Sequence, residues 1–173
     1  MHQVPSVFFG TFDTRAFIDL LNLRLSDFKT DLSIQILSTG FPSALIAVSS
    51  LAALESIVPN FERIKEIQRS RTMLLYAFAL EANNGTFAYT RMFDPLDGIN
   101  EESATGTASG ALLSYLFRHG LVSDSSQLVF EQGRALDRPS DIIGRLVVHH
   151  GKITEVIIGG TAVIINQKDI SIA

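Results

Sequence analysis

Hydrophobic positions recur along most of this chain in runs of about six residues bounded by Gly, Pro, Asn or Asp, which is strand spacing. Residues 33–38 and 44–49 flank Thr39-Gly40-Phe41-Pro42, a turn signature between two apolar segments. Residues 73–80 and 86–93 flank Asn83-Asn84-Gly85 and predict a hairpin. Four further strands are expected over residues 126–131, 142–149, 154–158 and 161–165. The imperfect alternation in Arg145-Leu146-Val147-Val148-His149 predicts one half-exposed face there.

Helical spacing interrupts this pattern. Over residues 14–23, Phe17, Leu20 and Leu21 fall on one face, and residues 50–57 and 61–70 form a helical pair broken at Pro59. In the second of that pair Glu62, Lys65, Glu66 and Arg69 line a solvated side. The next helix, over residues 107–119, ends at Gly120, a C-capping residue type. It belongs to a segment without a single charge from residue 103 to 117, and a helix apolar on nearly every side must be buried. About eight strands around one buried helix predict an α+β fold, a curled, mostly antiparallel sheet or barrel wrapped around a central helix. No linker divides the chain, so residues 1–173 are expected to form a single domain.

The entrance to the buried helix carries the candidate chemistry: Asn100-Glu101-Glu102-Ser103-Ala104-Thr105-Gly106-Thr107-Ala108-Ser109-Gly110. A first helical turn presents unpaired N–H groups and the positive end of the helix dipole. Small residues at Gly106, Ala108 and Gly110 leave room for a carboxylate to approach them, with Glu102 near enough to exchange a proton. A plainer explanation competes. Acidic residues before a helix complement its dipole, and Thr105 or Thr107 then serves as an ordinary N-cap. A cap needs one hydroxyl, however, and this segment combines several small residues with two.

Other residue types narrow the picture. The chain has 173 residues, enough for one domain burying roughly 70% of its unfolded surface. A net charge of −4 and the lack of a long basic run argue against nucleic-acid binding. No window approaches the ~20 apolar residues of a membrane span, and Met1-His2-Gln3-Val4-Pro5 lacks signal-peptide character, so a cytoplasmic location is expected. Without cysteine there is no disulfide, thiol nucleophile or thiolate metal site. The histidines read as structural: His149 and His150 beside a turn, His119 at a helix C-terminus where a protonated ring favours the dipole, and His2 at a terminus expected to be mobile. No two of them have metal-ligand spacing with a carboxylate, so no metal site is expected. Ser38-Thr39-Gly40 reads as turn chemistry, and Gly159-Gly160 as a tight turn or bulge between the last two strands.

The segment Arg91-Met92-Phe93-Asp94-Pro95, followed by Glu101-Glu102-Ser103-Ala104-Thr105-Gly106-Thr107-Ala108-Ser109-Gly110-Ala111-Leu112, closely resembles the PhzF-like phenazine-biosynthesis family of isomerases and epimerases. Leu37-Ser38-Thr39-Gly40, then Glu131-Gln132-Gly133-Arg134-Ala135 with Arg138-Pro139-Ser140, and Ile158-Gly159-Gly160-Thr161-Ala162-Val163 agree in order and spacing. That family is similar in fold to diaminopimelate epimerase, with two related halves, each a curled sheet around a helix, and the active site between them. The resemblance implies that this chain corresponds to the C-terminal half. Met1-His2-Gln3-Val4-Pro5 resembles the passage from one half to the next. The family pattern usually has Asp where Glu102 stands, Pro at Ser103 and Ser at Thr107.

By resemblance, Glu102 is the catalytic proton-transfer residue, and Thr105, Gly106 and Thr107 are substrate-binding, their backbone N–H groups holding a carboxylate or oxyanion. The resemblance implies a cofactor-independent isomerase or epimerase acting on a small carboxylate-bearing metabolite. The family's principal acid/base glutamate and a Gly-His pair lie in the N-terminal half, so a separately encoded N-terminal half is an expected partner. A homodimer covering the apolar face between halves is expected as well. The alternatives are a non-catalytic small-carboxylate binding module and an inactive family fragment.

Overall fold

Two strands separated by only three residues, β1 (His2–Gln3) and β2 (Val7–Phe12), lie at opposite edges of one sheet. The computed structural model describes residues 1–124, 127–164 and 166–168. The remaining elements are α1 (Arg15–Leu21), β3 (Ile34–Ser38), β4 (Pro42–Val48), α2 (Leu51–Glu55), α3 (Phe61–Ser70), β5 (Leu74–Ala79), β6 (Ala88–Asp94), β7 (Ile99–Glu102), α4 (Gly106–Arg118), β8 (Gln127–Gln132), β9 (Ser140–His149) and β10 (Lys152–Gly160). The sheet runs β1-β10-β9-β8-β6-β5-β4-β3-β2, with β7 paired to β6 beside this path. Among the described residues only β4–β5 and β6–β8 pair in parallel. The result is the expected curled, mostly antiparallel half-barrel around a central helix.

Alternation of side chains sorts the core into two layers. Ala44, Ile46 and Val48 of β4 and Leu75, Ala77 and Ala79 of β5 pack with Phe17, Leu21, Leu54 and Ile64 of the three outer helices. Leu45, Ala47, Leu74, Tyr76 and Phe78 face the other way, onto Ala111, Leu112, Tyr115 and Leu116 of α4. The central strands are therefore buried on both faces, which explains their nearly unbroken apolar sequence. In β9 burial alternates and both Arg145 and His149 are exposed, as expected.

Every residue from Ala108 to Leu116 in α4 is buried. Strands from both ends of the chain meet the helix at Gly110, where an added Cβ would lie 2.9 Å from Thr39 Oγ1 and 3.2 Å from both Gln3 Cγ and Val156 Cγ1. At the other end Gly120 N–H donates to the Phe117 carbonyl and Leu121 N–H to that of Leu116, the paired bonds of a Schellman stop. The hairpin turn carries Asn84 and Gly85 in left-handed conformation, which matches the strand twist. Among the described residues no helix is long and apolar enough to cross a membrane.

Several expectations need correction. Residues 161–164 lie outside the sheet, and Ile165 lies outside the described residues. Gly160 pairs with Ile142 near the start of β9, so little partner strand remains to continue the ladder. Of the strand expected over residues 126–131, Ser126 lies outside the described residues and the strand begins at Gln127. Gly159 and Gly160 are not a turn or bulge; they end β10, whose irregularity falls between Ile153 and Glu155. His2 is held in β1, with Nδ1 3.2 Å from Glu155 Oε2. Burial, and next the neighbouring Arg118 charge, push the His119 pKa down, which disfavours the dipole-paired cation. The ring instead stacks on Tyr115 at 4.2 Å.

Candidate active site

The two adjacent glutamates do different work. Glu101 grips Arg91 through both oxygens, at 2.8 Å from Nε and 2.9 Å from Nη2. The guanidinium also donates from Nη1 to the carbonyls of Leu54 and Ile57, closing the C-terminal end of α2. Both side chains of this pair are about nine-tenths buried, so Glu101 is committed to structure. Glu102 is half-buried and forms no ion pair among the described residues. Its Oε1 accepts from Ser103 N–H at 2.7 Å and from Ser103 Oγ at 3.1 Å, which turns the carboxylate toward the loop leading into α4.

Thr105 occupies the N-cap position of α4 but makes no capping bond through its side chain. Its hydroxyl instead accepts from Gln132 Nε2 at 2.9 Å, and its backbone N–H donates to Gln132 Oε1 at 3.1 Å. Ser50 and Asn60, at the same position in α2 and α3, do cap their helices. The amides of Gly106, Thr107 and Ala108 therefore open the helix without a side-chain cap, and the dipole there favours a negative ligand.

Beside them lies an open cleft of about 560 Å³, lined by Ala104 and Gly106, by the segment from Pro139 to Ile142, and by that from Ile158 to Thr161. Of the four residues singled out by sequence, only Gly106 lines it. An added Cβ at Gly106 would sit 3.4 Å from Ile158 Cγ2 and from Met1 Cε. The Thr107 carbonyl accepts from Thr39 Oγ1 at 2.9 Å, tying the first turn to the β3–β4 turn. Glu102, Thr105 and Thr107 border the same turn without lining the cleft.

Gln132 and Arg91 lie within the motifs named above, but the sequence alone assigns neither a role. Arg91 was detectable as the lone charge in the apolar run from Ala88 to Phe93, since a buried cation needs a partner. Strand β7 was signalled only by Asp97-Gly98, because its own residues, Ile99-Asn100-Glu101-Glu102, are mostly polar. Nothing local marked Gln132, whose partners lie far away in sequence. Gly133 follows it at φ 89°, and a Cβ there would meet the Arg138 carbonyl at 2.3 Å and Ser103 Cβ at 2.9 Å. Only glycine lets the two loops approach so closely. Among the described residues no group of three His, Asp or Glu side chains converges to hold a metal.

Comparison with known proteins places this geometry in a family. The model of the phenazine biosynthesis-like proteins matches residues 1–168. The chain is 33% identical over 155 residues to an uncharacterized isomerase of Clostridium acetobutylicum, covering 87% of this chain and 51% of that protein. It is 30% identical over 147 residues to trans-2,3-dihydro-3-hydroxyanthranilate isomerase of Pseudomonas chlororaphis, covering 84% and 50% respectively. In fold it superimposes on the Bacillus anthracis phenazine biosynthesis protein of the PhzF family with a TM-score of 0.86 at 22% identity, covering 99% of this chain and 60% of that one. The chain thus spans about half the length of the curated relatives it matches. It belongs to the PhzC/PhzF family of phenazine biosynthesis-like proteins.

Proposed function

We propose that this chain is the C-terminal half of a cofactor-independent isomerase or epimerase that moves a proton on a small carboxylate-bearing metabolite. The observation that carries this reading is the α4 N-terminus, uncapped by its own Thr105 and opening beside a cleft in a chain of this family. The amides of Gly106 and Thr107 hold the substrate's carboxylate or the oxyanion that develops when a neighbouring carbon loses its proton. Thr105 shapes the entrance to that turn. Glu102, which forms no ion pair among the described residues, moves the proton. Isomerisation needs one group to take a proton and one to return it, and this half supplies one. A complementary N-terminal half supplies the other.

A second reading, a non-catalytic carboxylate-binding module, is favoured by one observation: the Glu102 carboxylate bonds to its own loop instead of lining the cleft. Solvent-deuterium incorporation separates the two. The chain, mixed with the half of the Clostridium acetobutylicum relative that it does not match, is expected to exchange a carbon-bound proton of a carboxylate substrate, and Glu102→Gln to suppress exchange while retaining binding. Binding without exchange in every such assembly would establish the binding module.

A further inference from the structure

The buried carboxamide of Gln132 explains why a helix with threonine at its N-cap position goes uncapped. We infer that Gln132 is a positioning residue: it withdraws the Thr105 hydroxyl from α4 and keeps the first-turn amides free for a ligand carboxylate. The use of those amides rests on the function proposed above; the withdrawal of the hydroxyl stands on geometry alone.

Gln132 is fully buried, and its amide uses its entire hydrogen-bonding capacity. Oε1 accepts from Thr105 N–H at 3.1 Å and from the Tyr76 hydroxyl at 3.0 Å. Nε2 donates to the Glu102 carbonyl at 2.7 Å and to Thr105 Oγ1 at 2.9 Å. These partners fix the amide's orientation, since a flipped carboxamide would face a carbonyl with an oxygen and an N–H with a donor. The Tyr76 hydroxyl also lies 2.8 Å from Ser109 Oγ and 3.1 Å from Thr90 Oγ1, so its single proton is shared between Gln132 Oε1 and these neighbours. Burial pushes its pKa up to about 12, so the phenol stays a donor. Gln132 thus spans the loop between Glu102 and Thr105, holding both ends. Thr105 has the residue type and the extended backbone of a cap, yet its hydroxyl is held elsewhere. Were the hydroxyl released, it would accept from Thr107 or Ala108 N–H, the same donors a carboxylate would need.

The test reads capping and ligand binding separately by NMR on 15N-labelled protein, with anthranilate as the carboxylate probe. In Gln132→Leu, exchange with water at the Thr107 or Ala108 amide is expected to slow about fivefold and anthranilate affinity to fall about fivefold, the scale of one N-cap bond. In the double variant Gln132→Leu/Thr105→Val the exchange rates are expected to return to near the wild-type values and anthranilate affinity to recover relative to Gln132→Leu, because no hydroxyl remains to cap. A residue that merely braced the loop would give equal losses in single and double variants, and that result would overturn the inference. Thr105→Val alone supplies a check that does not depend on Gln132→Leu folding. Its Thr107 and Ala108 amides are expected to exchange no faster than in the wild type, whereas faster exchange would show that Thr105 caps the helix and overturn the inference. Failure of the wild type to bind anthranilate, with the exchange pattern intact, would count against the carboxylate reading and leave the role of Gln132 supported.

Discussion

Arg91 and Glu101 face each other in a two-point ion pair of 2.8 and 2.9 Å, about nine-tenths buried on both sides. Glu102, the next residue, has no such partner among the described residues. The two carboxylates should therefore respond differently to the same substitution. Glu101→Gln leaves a buried guanidinium without its counter-charge and is expected to cost about 3–5 kcal/mol. Glu102→Gln, which keeps an oxygen to accept from Ser103 at a half-buried site, is expected to change stability by less than about 1 kcal/mol. Urea unfolding of both variants measures the difference; equal costs would contradict this division of roles.

The pH dependence of stability should carry a signature of Asp94. Burial, opposed by the 2.7 Å bond from Gln68 Nε2, holds its pKa above the ordinary carboxylate value. A carboxyl whose folded pKa is raised contributes stability that is fully present below the unfolded value of ~3.9 and is lost as pH rises through the folded value. Asp94→Asn, which keeps an acceptor for Gln68, is thus expected to gain on the wild type between pH 3 and pH 7 in parallel denaturation series. A relative loss over that range would reverse the sign of the argument.

Leu112 is fully buried at the centre of the α4 layer. Leu112→Ala is expected to cost about 2–5 kcal/mol in urea unfolding, through lost transfer energy and an unfilled cavity. A change under about 1 kcal/mol would contradict a packed central helix.

Self-association is expected through the β2 edge, where Phe9 is 58% and Val7 51% exposed on an edge strand. Sedimentation at micromolar concentration is predicted to show a dimer that Phe9→Lys dissociates. A monomeric wild type would contradict this expectation.

The architecture was legible where burial leaves a strong mark on sequence. The charge-free run from 103 to 117 announced α4, and strands buried on both faces announced β4, β5 and β6. Strand β2 escaped notice because its outward residues, Val7 and Phe9, are apolar yet exposed, so polarity does not alternate with burial. Strand β7 escaped because it is short and polar. At the candidate site, the glycines and hydroxyls around Gly106 were readable as an open helix entrance. What kept that entrance open was not readable, because Gln132 lies 27 residues from Thr105 and its strand reaches that loop through the parallel pairing of β6 with β8.

Whether the α4 entrance receives a carboxylate can be read from backbone amide shifts during an anthranilate titration. Saturable shifts are expected, centred on Gly106 and Thr107 and abolished by Gly106→Val, whose branched side chain would crowd the entrance beside Ile158 and Met1. Shifts centred instead on the separate cleft beside Arg118 and Lys152, or shifts unchanged by Gly106→Val, would contradict it.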